Sequence, residues 1–120
     1  MVILLLLWRA EGYHQSAVGH LSPFIHECRT YYLNSRFDWI YIDTTHSYEL
    51  TRDELHGYAN KIKPDGIIAG HDYMQGNWHA QCRYGVIEAV HEFCVTKNYR
   101  IRYLTMDISE SLSFAIEKNN

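Results

Sequence analysis

Hydrophobic and polar positions fall into strand-like runs separated by helix-like spacings. From Phe37 to Ile42 the residues are aromatic or β-branched apart from Asp38, and polarity returns at once in Asp43-Thr44-Thr45-His46-Ser47. Such a run predicts a central strand covered on both faces, with ionisable residues at its carboxyl end. Thr51, Leu55, Tyr58 and Ile62 then recur at helical spacing, so an amphipathic helix is predicted from Ser47, its N-cap, to about Lys61. A Pro64-Asp65-Gly66 turn feeds a short apolar strand over Gly66 to Ala69, which runs into His71-Asp72. The helix-length crossover makes the two strands parallel neighbours. Their carboxyl ends then meet where open α/β sheets bind ligands, and Asp43, His46, His71 and Asp72 are expected to converge on one pocket.

The flanking segments fill out an α/β pattern. Met1 to Trp8 is apolar but far shorter than the ~20 residues of a membrane span, and it reads as a buried strand. No basic residue precedes it and no small-residue cleavage site follows, which argues against a signal peptide. Gly12 to Gly19 has no clear period. Ser22-Pro23 has the form of an N-cap followed by a first helical residue, and a helix to about Leu33 would place Phe24, Cys28 and Tyr31 on one face. Met74 to Arg83 mixes Gly76, Asn77, Trp78 and His79 without a period, which predicts a loop at the pocket mouth, placed to act as a lid. Val86, Ala89, Val90, Phe93 and Cys94 mark a helix over Gly85 to Lys97. Tyr99 to Thr105 and Ser111 to Ile116 read as strands that pair antiparallel across a turn at Met106 to Glu110.

Composition narrows the function classes. With 120 residues, 47% of them hydrophobic, the chain is expected to be a single domain over 1–120. A formal charge of −3 with acids and bases interspersed leaves no electrostatic footprint for nucleic acid or an anionic membrane, so a small molecule is the expected partner. Cys28, Cys82 and Cys94 are odd in number and lack metal-finger spacing, which fits a reducing, cytoplasmic location.

Two motifs taken together carry a resemblance. Phe37-Asp38-Trp39-Ile40-Tyr41-Ile42-Asp43 with His46-Ser47-Tyr48-Glu49, then Lys63-Pro64-Asp65-Gly66 and Gly70-His71-Asp72-Tyr73, are similar to the fourth and fifth strands of metal-dependent small-molecule O-methyltransferases. Gly85-Val86 through Phe93 is similar to the helix that follows, and the likeness spans roughly Phe37 to Ile116. The chain thus resembles the carboxyl-terminal half of the class I S-adenosylmethionine-dependent methyltransferases, nearest the macrocin O-methyltransferase-like branch. The resemblance implies a partial doubly wound, Rossmann-like sheet ending in an antiparallel strand pair. It also implies S-adenosylmethionine as cofactor, methyl transfer to a small-molecule hydroxyl, and a divalent metal held by Asp43, His71 and Asp72. Two carboxylates suit magnesium, and the imidazole of His71, where relatives carry a carboxylate or amide, either tilts the site towards manganese, iron or zinc or stands behind the ligands without touching the metal. His46 occupies the place of a catalytic lysine in catechol O-methyltransferase. Its ordinary pKa near 6.5 suits a general base.

The family's glycine-rich turn is not found, because no Gly-x-Gly occurs among the seven glycines. The chain is therefore expected to be either the carboxyl-terminal part of a longer enzyme or a reduced form. The alternative to an enzyme is a noncatalytic or partner-dependent methyltransferase-like remnant, whose exposed sheet edge would favour homo-oligomers. A histidine-aspartate phosphohydrolase shares the order His46, His71-Asp72, Asp107, but such enzymes are all-helical, against the strand-like run at Gly66 to Gly70.

Overall fold

The computed structural model describes residues 3–10, 13–19, 37–106 and 111–119. Its elements in chain order are β1 (Ile3–Ala10), β2 (Tyr13–Gly19), β3 (Phe37–Asp43), α1 (Tyr48–Ala59) and β4 (Ile62–Gly70). They continue with β5 (Gly76–Asn77), β6 (Cys82–Arg83), α2 (Val86–Lys97), β7 (Tyr99–Leu104) and β8 (Phe114–Lys118). Six strands form one sheet in the order β2-β1-β3-β4-β8-β7, and β5 with β6 forms a separate hairpin. The helix predicted over Pro23 to Leu33 and the turn residues 107–110 lie outside the described residues, as do Cys28 and Asp107. The strand character of β4 removes the all-helical phosphohydrolase.

β3 and β4 are parallel neighbours joined by α1, as the crossover length predicts. The other neighbouring pairs are antiparallel: β1 with β2, β1 with β3, β4 with β8, and β7 with β8. The terminal antiparallel pair expected from the sequence is present. The sheet as a whole is a mixed one of mostly antiparallel strands, so of the partial doubly wound sheet expected, the described residues contain one parallel crossover and the closing antiparallel pair. An apolar run specifies a strand but not its direction, and β1 enters beside β3 head to tail, with Ile3 opposite Asp43.

Three boundaries also differ from expectation. Gly12 to Gly19, without a clear period, contributes β2. β4 begins at Ile62, ahead of the Pro64-Asp65-Gly66 turn, because that segment bulges out of the ladder: Phe37 pairs with Ile62 and Trp39 already with Ile67. Lys63 closes the bulge by donating to Asp38 Oδ1 at 2.6 Å. The last strand runs Phe114–Lys118, later than the predicted Ser111 to Ile116.

One core unites the sheet with both helices. Ile40, Ile68 and Ile116 from the sheet, Leu55 from α1, and Ala89, Val90 and Phe93 from α2 are all fully buried in one cluster. Burial of each large side chain contributes about 1.5–3 kcal/mol, so these contacts fix α1 and α2 side by side against the strands. Trp39 and Tyr41 are only half-buried, so β3 shows the alternation of a strand with one strongly covered face, not the full burial its composition predicts. No helix among the described residues is long and apolar enough to cross a membrane.

Candidate active site

The carboxyl ends of β3 and β4 bring the ionisable residues together. Asp43 closes β3, and Ser47 caps α1, its Oγ accepting the Leu50 amide at 3.3 Å. The residues between them are tied to both helices. Thr44 is buried and donates its hydroxyl to Glu54 of α1 at 2.9 Å. From the other side the amide of Gly85, at the start of α2, donates to the His46 carbonyl at 2.8 Å. Past β4, the His71 amide extends the parallel ladder by donating to the Ile42 carbonyl at 3.0 Å.

His46 and Asp72 both have left-handed backbones, with φ of 61° and 57°. For residues other than glycine such conformations are costly, and they persist where the surroundings over-determine them. Here the two residues face one another: Asp72 Oδ2 is 2.6 Å from His46 Nδ1 and 3.4 Å from His71 Nδ1. One ligand atom from each of Asp43, His46 and Asp72 lies within 4.8 Å of the others. All four residues expected to converge are thus gathered at the strand ends, with His71 reaching the group through Asp72. The Asp72 side chain is buried, whereas both histidines are half-exposed.

Three participants escape a reading of the sequence. Tyr84 lays its ring against His46, with centroids 4.6 Å apart. Burial first, and then the nearby charge of Asp72, raises its phenol pKa, so it stays protonated and available as a donor. Gly85 lets the starts of α1 and α2 touch, since a Cβ there would lie 2.5 Å from the Tyr48 nitrogen. Glu54 is almost fully buried with its pKa pushed up to about 7, by burial first, partly offset by the Thr44 hydrogen bond. No period marks Tyr84, because it follows the β5–β6 hairpin, whose strands are two residues each and which replaces the loop predicted over Met74 to Arg83. Glu54 did leave a signal, a carboxylate on the same helical face as Thr51, Leu55 and Tyr58.

A cleft of about 460 Å³ opens between the starts of the two helices, lined by Ser47, Tyr48, Glu49, Arg83, Tyr84, Gly85 and Glu88. It adjoins the ionisable group through Ser47 and Tyr84, the chain neighbour and the ring partner of His46.

The model of a family described as a methyltransferase domain matches residues 6–73, more than half of the chain. This chain belongs to that methyltransferase family. The matched segment runs from β1 to just past the end of β4 and contains both aspartates of the site. No curated protein and no solved structure matches the chain.

The methyltransferase domain's donor set fits a divalent cation. Bonds of roughly 2.0–2.2 Å hold ligand atoms ~3–4 Å apart, and the 4.8 Å span of Asp43, His46 and Asp72 needs only a small side-chain closure to reach that. Membership of a methyltransferase family suggests S-adenosylmethionine as the methyl donor. A doubly wound sheet offers such a cofactor the carboxyl ends of diverging parallel strands, whereas beside Asp43 the methyltransferase domain places the amino end of β1.

Proposed function

We propose that this methyltransferase domain serves S-adenosylmethionine-dependent methylation of a small-molecule hydroxyl, as in the macrocin O-methyltransferase-like branch, with a divalent metal held by Asp43 and Asp72. The observation that carries the reading is the convergence of Asp43, His46 and Asp72 at the ends of two adjacent parallel strands. A bound divalent ion supplies Lewis acidity there, lowering the pKa of a hydroxyl and fixing its direction.

The chain's own residues account for the remaining requirements. Asp72, buried behind the two histidines, and the half-buried Asp43 supply carboxyl oxygens at the strand ends. The cleft beside them has the size of a small-molecule site, with the rings of Tyr48 and Tyr84 as apolar surface and Glu49, Arg83 and Glu88 as polar contacts. His46 has Nδ1 engaged with Asp72 at 2.6 Å, which fixes its ring beside both carboxylates.

Labelled S-adenosylmethionine supplied with a panel of small hydroxyl acceptors and magnesium or manganese tests the reading. Transfer is expected with metal and is expected to vanish with a chelator or with Asp72→Asn, a change whose amide side chain suits the left-handed backbone. Chelator-insensitive transfer would overturn the role of the metal. A second reading, a partner-dependent or noncatalytic remnant, draws support from the seating of β1 on the flank of β3. Calorimetry separates the two readings, since the remnant binds no S-adenosylmethionine by itself.

A further inference from the structure

We infer that His46 is the third ligand of the metal, and that the ion is a first-row transition metal such as manganese or cobalt in preference to magnesium. The inference rests on the metal reading given above and concerns which of two histidines completes the site. Position alone favours His71, which is adjacent to Asp72 in sequence and follows directly on β4. Both imidazoles lie near Asp72 Oδ2, His46 Nδ1 at 2.6 Å and His71 Nδ1 at 3.4 Å, and what separates them is that only His46 shares a neighbourhood with Asp43 as well. Ligand atoms on adjacent corners of a coordination sphere lie ~3 Å apart, and His46 belongs with Asp43 and Asp72 to the group whose ligand atoms share one 4.8 Å neighbourhood.

The surroundings hold His46 for this purpose. Its backbone is left-handed at φ 61°, its carbonyl is fixed by the Gly85 amide, and its ring rests on Tyr84. A residue whose backbone is held in this way and whose ring rests on Tyr84 is well placed to serve as a fixed metal donor. Ligation through Nδ1 leaves the ring proton on Nε2, where it can serve as a hydrogen-bond donor. Imidazole is a poor match for magnesium, which prefers oxygen, and an increasingly good one along the first-row transition metals from manganese to cobalt.

The test titrates the full chain with magnesium, manganese and cobalt by calorimetry, and records pulsed EPR of bound manganese for nitrogen coupling. Wild type is expected to prefer manganese and cobalt over magnesium by roughly tenfold or more, with an imidazole nitrogen in the EPR signal. His46→Asn retains a side chain at ease in the left-handed region and substitutes an amide oxygen, so it should fold, lose the nitrogen signal and lose the preference. His71→Gln should keep both. If the signal and the preference survive His46→Asn and disappear with His71→Gln, this assignment is wrong while the metal reading stands. Binding without preference or nitrogen coupling also overturns the assignment alone. If wild type binds none of the three ions, the metal reading falls with it.

Discussion

Glu54 shows how much a single buried carboxyl can bias this domain. One oxygen accepts from Thr44 and the other has no hydrogen-bond partner, while the residue is only 2% exposed. The folded chain therefore holds its proton up to about 7, whereas the unfolded chain releases it near the ordinary 4.5. Between those values the folded state binds more protons than the unfolded one, so stability falls as pH rises through that window and levels off above it. The full loss is roughly 3 kcal/mol. Glu54→Gln keeps an acceptor for Thr44 and removes the charge. Urea denaturation should show the variant equal to wild type at pH 4 and more stable by up to about 3 kcal/mol at pH 8, and a variant destabilised at both values would refute this account. Because Thr44 directly follows Asp43, the same hydrogen bond ties the core of α1 to the carboxyl end of β3.

At the scale of elements, the site depends on two helix starts pressed together. Gly85 has an ordinary φ of −118°, so its value is purely one of space: a methyl group would meet Tyr48 Cβ at 2.4 Å and the backbone nitrogen at 2.5 Å. Backbone cannot yield as a side-chain tip can, and overpacking of this kind costs about 1–3 kcal/mol. Gly85→Ala should lower the urea midpoint correspondingly and, by loosening the amide that holds the His46 carbonyl, weaken manganese binding even at temperatures where the fold is intact. Unchanged affinity in a destabilised variant would show that the helix contact is structural alone.

The elements the sequence made legible are those whose own residues state a period. β3 announces itself through Trp39, Ile40, Tyr41 and Ile42, and α1 through Thr51, Leu55 and Tyr58 behind a serine cap. Tyr13-His14-Gln15-Ser16 of β2 is mostly polar and pairs because β1 lies beside it, a dependence no local pattern reveals. The hairpin of β5 and β6 is too short for any alternation to show. Asp43 and Asp72 were legible because a charge straight after an apolar run has few structural uses. The pairing of His46 with Asp72 was not, since it depends on two left-handed residues and a ring contributed from beyond the hairpin.

At the scale of the whole molecule, the sheet formed by the described residues has β2 at one side and β7 at the other. The β7 side carries exposed Tyr103, Leu104 and Met106, apolar groups that invite association. Two devices blunt it. Arg102 interrupts the register between Ile101 and Tyr103, and Arg100 and Arg102 both pair with Glu117 of β8. Replacing both arginines with threonine should therefore leave the fold intact but give concentration-dependent self-association in analytical ultracentrifugation, and a double variant that stays as dispersed as wild type would show that the charges do not guard the edge.

The head-to-tail seating of β1 against β3 also restricts where a methyl donor could be carried. Neighbouring strands lie ~4.8 Å apart, so a unit that joined this sheet beyond β2 would add its first strand three places from β3, roughly 14 Å to the side of Asp43. Transfer requires reacting atoms ~3–3.5 Å apart. Lengthening the sheet cannot bridge that gap. A donor-bearing unit would have to settle across the strand tips above Asp43 and Asp72, or take the place of the β1–β2 pair on the flank of β3 after peeling it away.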